Sequence, residues 1–413
     1  MTETIADRRA AEGVERFSTR HDFDADGLDG FDEVHAAFAD LRGRCPVAHS
    51  NDMGGFWMLT KYRDIEAAMS DSALYSTAVQ NVVPPVATTG RRPPLHLDPP
   101  DHTPYRRAIA PLFRRERMAF WEPRVRDIAT TLFAPLPSKG RADICLDYSY
   151  HLPIHVLAEF FMIPPAQAQE IRAVGREFNT ALQTKDLAGL QKYSGFLYDI
   201  AQSIIDDRKV NPRDSGECPT SALLAATDFD GNPLPEALIL GTIRQLLVVG
   251  IIAPTTFLGS AVMHFCRHPD HFQLIKDDPS LVPAVADELL RLYTPYRGFA
   301  RTPTRDVELR GETIMRDEAV ALCFTSANRD AEVFEDPDSF RLDRVDAPPP
   351  IAFGAGPHRC AGEPIGRLML TASLEVFAEL CDGFEADGPT PMTTWPEYGP
   401  TSVPVKFRTI GEG

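Results

Sequence analysis

A chain of 413 residues, 43% apolar and 24% charged, is long enough for one large domain or two ordinary ones and has a globular composition. Its net charge of −17 argues against a nucleic-acid binder. The longest uncharged apolar run, 246–253, is far short of a membrane span, and seven scattered cysteines without a C-x-x-C pair argue against a disulfide framework or a cysteine-rich zinc site. The N-terminus lacks the apolar core of a signal peptide, so a soluble cytoplasmic protein is the default expectation.

Residues 1–30 are polar and charged and read as a loosely ordered N-terminal arm. No repeat and no clean linker follow, which leaves 31–413 as a single domain. A helical pattern covers 31–44, a short strand 55–60 and a short helix 62–69. Residues 77–95 form a long Pro- and Val-rich loop, whose apolar content suggests a lid or pocket wall. From 103 to 290 helical periodicity prevails, broken near 135–140, 211–216 and 228–235. The segment 235–267 reads as one central, buried helix, roughly 50 Å long at ~1.5 Å per residue and apolar on nearly all sides. Strand alternation with a Gly turn occupies 305–315, a loop 348–360, a helix 363–377, and a short strand 402–407. The expected fold class is mainly α with a minor β region.

Three local patterns carry chemistry. Cys360 ends a glycine-rich loop directly before a helix start, where the helix dipole and free N–H groups lower a thiol's pKa and make it a good ligand or nucleophile. The glycines let the backbone pass close under something flat and large. His102 and Arg106, four apart on a helical face, can point donors at one anionic group, and Glu288 and Arg291, three apart, can pair. His264-x-Cys266-x-His268 could hold zinc, but no further ligand is readable. A cysteine hydrolase using Cys360 and His358 is weak, because residues two apart rarely face each other.

Taken together, Phe353-x-x-Gly356-x-His358-x-Cys360-x-Gly362, Glu288-x-x-Arg291, Ala327-Asn-Arg-Asp330 and Phe334-x-x-Pro337-x-x-Phe340 make nearly the whole chain, from about residue 30, resemble the cytochromes P450. The resemblance implies the P450 fold with a long central helix over haem b, and a single haem-thiolate catalytic domain. Cys360 would be the axial iron ligand, pushing electron density that favours O–O cleavage, with Phe353 beside its sulfur. His102, Arg106, Arg301 and His358 would hold the propionates. Glu288 and Arg291 would be structural, bracing the proximal side near Arg329.

The activity implied is that of a monooxygenase inserting one oxygen atom from O2 into a small or medium hydrophobic substrate, by hydroxylation or O-dealkylation. Electrons would come from a separate ferredoxin-type donor with its reductase. Arg107, Arg114, Arg115, Arg359 and Arg367 flank the cysteine side and could form a basic dock for that acidic partner. By family position the pocket would be lined by Val79, Val82, Val83, Phe178, Val249, Ile252, Ala253, Pro295, Arg297, Phe299, Thr394 and Trp395, a largely apolar set.

The chain departs from the family where Gly-x-acid-Thr is usual. Gly250 aligns with the glycine, but Ile252 and Ala253 take the acid and alcohol positions; a rival register ending on Thr255-Thr256 places Pro254 at the acid. Pro254 has no N–H for the Gly250 carbonyl, so the helix should kink there and free an acceptor for water or substrate. Gly250, Ala253, Thr255 and Thr256 are therefore the candidates for a water-based proton relay. The alternative is a peroxide-driven or non-monooxygenase haem-thiolate enzyme, and more remotely a haem-binding protein without oxidation.

Overall fold

The structure, a computed structural model, describes residues 30–83, 90–184, 186–248, 250–344 and 346–408. Val249 and, apart from Gly30, the expected N-terminal arm lie outside the described residues.

Helices form where apolar residues recur at helical spacing. Glu33–Arg44 buries Val34, Phe38 and Leu41, and Tyr62–Ser70 buries Tyr62, Ile65 and Met69. Both match the expected segments to within two residues at either end. Strands are short. Val47–Ser50, Phe56–Leu59, Val320–Leu322, Phe299–Pro303 and Tyr75–Ser76 form a five-stranded sheet in that order, with one parallel pairing, Phe56–Leu59 on Val320–Leu322. Val307–Leu309 and Glu312–Ile314 make the hairpin expected around the Gly311 turn, where φ is +85°. Pro404–Arg408 lies between Arg141–Asp143 and Gly383–Ala386 in a third sheet.

The core is built on Glu363–Leu380, the helix that starts three residues after Cys360. It packs on Arg115–Phe133, bringing Phe377 and Phe133 to 4.5 Å between ring centroids. Tyr148 donates to Ser373 Oγ at 2.8 Å from the next layer. These contacts fix the floor beneath the glycine-rich loop.

The central helix is not continuous. It comprises Glu236–Leu246 and Ile252–Arg267, so the expected 50 Å rod is two pieces. Two sequence features explain the break. Gly250 sits against Leu157 of the His151–Phe160 helix, where an added Cβ would come within 2.3 Å of Leu157 Cδ1. Pro254 then falls in the first turn of Ile252–Arg267, where backbone N–H groups have no intrahelical acceptor and a proline costs nothing. The proline therefore follows a helix start instead of kinking a helix interior. Only the second piece is buried throughout, from Pro254 to Phe265.

Candidate active site

The segment 351–362 is held by its own backbone. Cys360 N donates to Phe353 O at 2.9 Å, closing the loop. Gly354 and Gly356 have φ of +72° and +65°, the left-handed region that favours glycine. At Gly356 a Cβ would also lie 2.3 Å from the Met69 carbonyl, so this glycine serves the packing of the loop on Tyr62–Ser70. The Phe353 ring lies under the Arg367 guanidinium at 5.2 Å.

Cys360 is deep in the fold, yet its side chain is exposed. Both hold because the sulfur opens onto an internal space flanked by Arg106 and Tyr296. Burial pushes the thiol's pKa up; the Gly362 amide, the Arg106 charge and the Glu363 amide oppose this without reversing it. The expected depression is thus corrected: the helix-start amides do point at the sulfur, but desolvation outweighs them. A thiol so placed becomes a thiolate when a metal takes its proton's place.

Around this space the fold gathers four basic side chains from three distant segments. His102 and Arg106 stand one turn apart on His102–Ile109, Arg301 comes from Phe299–Pro303, and His358 from the loop. The His102 and His358 rings meet edge to face at 4.6 Å. Arg301 is buried, and its guanidinium reaches its neighbour's carbonyl, Ala300 O at 2.8 Å, as its one hydrogen bond among the described residues. His102 Nε2 is buried with no hydrogen-bond partner among the described residues.

Burial first, and the neighbouring cations second, hold His102 down to about 4 and His358 to about 3. Arg301 falls to about 10 through burial. One carboxylate, Asp98, opposes this cluster; it accepts from Ser76 Oγ at 2.5 Å and Thr77 N at 2.9 Å, and Thr77 Oγ1 bridges it to His358 Nε2. The lining is a buried, electropositive cradle with idle donors, suited to a multiply charged anion.

Comparison with known proteins agrees with this geometry. The cytochrome P450 family model matches residues 268–381. Vitamin D(3) 25-hydroxylase of Pseudonocardia autotrophica is 31% identical over 341 residues, covering 81% of this chain and 83% of the relative. The chain belongs to the cytochrome P450 family. Nocardicin C N-oxygenase of Nocardia uniformis subsp. tsuyamanensis is 30% identical, with 91% of this chain and 95% of the relative covered. The open form of cytochrome P450 EryK from S. erythraea superimposes with a TM-score of 0.83 at 25% identity, over 93% of this chain and 98% of that one.

As a P450, the chain is a haem-b-dependent oxidoreductase of the monooxygenase class. The cradle fits that cofactor: its propionates would give His102 Nε2 and the Arg301 guanidinium the partners they lack, and Cys360 offers a soft ligand on the same space. No helix among the described residues is long and apolar enough to cross a membrane.

Several further residues lie where a pocket wall requires. Val82 bridges to Phe299, and Val83 N donates to Gly298 O at 3.3 Å while its carbonyl accepts from Trp395 Nε1 at 2.5 Å. The 77–83 loop is thereby stitched to the edge of Phe299–Pro303. Pro295 is buried beside them, its carbonyl accepting from Tyr398 N. Tyr296, its ring tilted against Phe299 at 4.5 Å between centroids, reaches the neighbourhood of Cys360; only the tertiary fold reveals it and Asp98.

Other placements differ from expectation. Val79 is exposed, outside the wall. Arg297 is buried and donates to the backbone, to Glu397 O at 2.7 Å and Thr393 O at 3.4 Å, which clamps the 393–397 loop. Thr255 Oγ1 donates to Ile251 O or Ser149 O, and Thr256 Oγ1 to Ile252 O or Ala253 O. With Ile252, both threonines line a separate groove of about 1150 Å³, whose walls include Tyr150, Arg176 and Thr401 and no residue of the Cys360 loop. Gly250 faces Leu157. These positions do not assemble the expected relay, and Ala253 has no hydroxyl to replace it.

The basic dock divides in two. Arg359 pairs with both Glu363 oxygens, and Arg367 with Glu363 and Asp287, so their charge is neutralised locally. Arg107 lies over the Phe229 ring, while Arg114 and Arg115 are exposed without an ion pair among the described residues. Glu288 and Arg291 form a buried two-point pair at 2.7 and 2.8 Å. Arg291 also donates to the Asn328, Pro337 and Ser339 carbonyls. Arg329 anchors on Leu292 O beside them.

The His264–Cys266–His268 set is no metal site among the described residues. His264 instead bridges Tyr293 Oη at 2.8 Å and His271 Nδ1 at 2.9 Å.

Proposed function

We propose that this P450 ligates haem iron through Cys360 and oxidises an organic substrate held against the wall formed by Val82, Val83, Phe299 and Tyr296. The observation that carries the reading is the convergence of His102, Arg106, Arg301 and His358 on the space into which Cys360 opens. Haem supplies oxygen activation and transfer when bound. The chain's own residues do the rest. Cys360 gives a charged sulfur backed by the Gly362 and Glu363 amides, which stabilise it as an anion. His102, Arg106, Arg301 and His358 would hold the propionates. Phe353, under the Arg367 guanidinium, and the tilted Phe299–Tyr296 pair supply apolar surface that would limit water at the bound group.

The substrate is an organic molecule with an apolar body, a reading supported by this lining and by the relative named for vitamin D(3). The electron donor is a separate ferredoxin-type protein, docking on Arg114 and Arg115, which are exposed without an ion pair among the described residues. The test is spectral. The reduced carbonyl complex should show the red-shifted Soret band of thiolate ligation, and Cys360→His should abolish it; a colourless protein or an unshifted band in the parent overturns the assignment.

A second reading is favoured by one observation: the Thr255 and Thr256 hydroxyls are given to backbone carbonyls, Gly250 packs on Leu157, and Ile252 and Ala253 carry no proton-relaying group. A peroxide-driven enzyme has no need of that relay. Product formed with hydrogen peroxide alone, at a rate matching turnover with an electron-transfer partner, selects it.

A further inference from the structure

Roofing the region between the 90–97 loop and the Leu187–Val210 and Glu236–Leu246 helices is a second group of buried cations, separate from the propionate cradle. Arg92 is 7% exposed and Arg244 1%. Both donate to one neutral acceptor, the Gln245 amide oxygen, at 3.1 and 3.5 Å; Arg244 also donates to Ser194 Oγ at 3.0 Å. The Nε–H of each is buried without a partner among the described residues, as is the Tyr198 hydroxyl. No carboxylate pairs with either guanidinium among the described residues; the charges that act on them are each other and Tyr198. Burial first, and Arg92 second, push Arg244 down to about 9. His96, also buried, stands near both and is fixed to Asn81 Oδ1 at 2.6 Å.

Two buried guanidiniums without a counter-charge are costly, because removing ions from water is repaid only by an opposite charge or a full set of hydrogen bonds. Each guanidinium carries five N–H donors, and here few are used. The Phe178 ring beneath Arg244, at 5.0 Å, supplies a cation–π contact and an apolar flank, and neither satisfies the idle N–H groups. Asn81, which orients His96, also gives its carbonyl to Ala300 N beside Phe299, so the cationic roof and the apolar wall belong to one stitched loop.

We propose that Arg92 and Arg244 form the anchor for a carboxylate on the substrate, making this P450 an oxidase of apolar monocarboxylic acids. The two oxygens of a carboxylate match the paired donors that Gln245 Oε1 only half occupies, and its apolar body then lies along Phe178 and the Val82–Phe299 wall. The inference rests on the haem-thiolate reading above and names the substrate class for it.

The test is equilibrium titration of the holoprotein, followed by the substrate-induced shift of the haem spectrum. The probes are benzoate, cinnamate and decanoate, each paired with its methyl ester, which keeps the apolar body and removes the charge. At least one acid should bind about tenfold or more tightly than its ester. Arg92→Gln and Arg244→Gln should each erase that preference while imidazole ligates the iron with unchanged affinity. The acid-to-ester ratio is measured on the parent protein, so it does not depend on a variant folding. Equal binding of every acid and its ester, or no response to any acid, overturns the proposal, as does a preference that survives both substitutions. Failure of imidazole to perturb the spectrum counts instead against the haem-thiolate reading.

Discussion

The rings of His102 and His358 meet edge to face at 4.6 Å, joining the first turn of one helix to the loop that carries Cys360. Burial and the arginines around them hold both far below the usual histidine range. They therefore act as neutral donors in a cradle whose positive charge comes from Arg106 and Arg301.

That division of labour predicts how the cofactor is lost. Arg301→Gln removes a buried charge-assisted contact and should speed transfer of haem to apomyoglobin by about tenfold or more. His102→Phe, which removes only a neutral donor, should have a smaller effect. Haem-transfer rates equal to the parent in both variants would show that the propionates lie elsewhere.

Glu288 is 6% exposed and accepts from Arg291, Arg344 and the Arg341 amide. Truncating it leaves buried guanidinium groups without their partner. Glu288→Ala should destabilise the fold by about 3–5 kcal/mol, seen as a lowered urea midpoint and poor soluble yield. None of these hydrogen-bond partners belongs to the pocket wall, so substrate affinity should be unchanged in whatever fraction folds.

Thr255 and Thr256 give their hydroxyls to carbonyls at a helix start. Thr255→Val and Thr256→Val should keep the parent ratio of product formed to electrons consumed. The Thr255 change should cost about 1 kcal/mol in stability, for the hydrogen bond lost at Ser149. Uncoupled turnover in either variant would restore the threonine relay.

Arg114 and Arg115, at the start of Arg115–Phe133, have no ion pair among the described residues, unlike Arg359 and Arg367. Reversing both to Glu should slow reduction by a ferredoxin about tenfold at low ionic strength, with the difference fading in high salt. A rate unaffected at low salt removes them from the docking surface.

His264 sets an acid limit on stability. Burial first, then His268, His271, Arg329 and Arg267, lower it to about 3, whereas the unfolded chain titrates near ~6.5. Between those values the unfolded state binds the extra proton, so stability rises with pH and is lost on acidification. This one group should contribute a slope of about 1.4 kcal/mol per pH unit below ~6.5. In His264→Asn, urea midpoints measured from pH 7.5 to 5 should fall correspondingly less steeply.

The sequence by itself determined what depends on near neighbours. The glycines before Cys360 and the i, i+3 and i, i+4 spacings of Glu288/Arg291 and His102/Arg106 are local requirements of backbone and helix geometry. Their chemistry was therefore legible before any fold. The tertiary structure decided every direction that burial sets. It broke the central helix where Gly250 meets Leu157, turned Thr255 toward Ser149, and consumed Arg297 on the Glu397 and Thr393 carbonyls. It also brought Thr77 to His358 across 281 residues and Arg92 to Gln245 across 153. A buried charge takes whatever partner the packing places beside it, and sequence spacing carries no record of partners that far away.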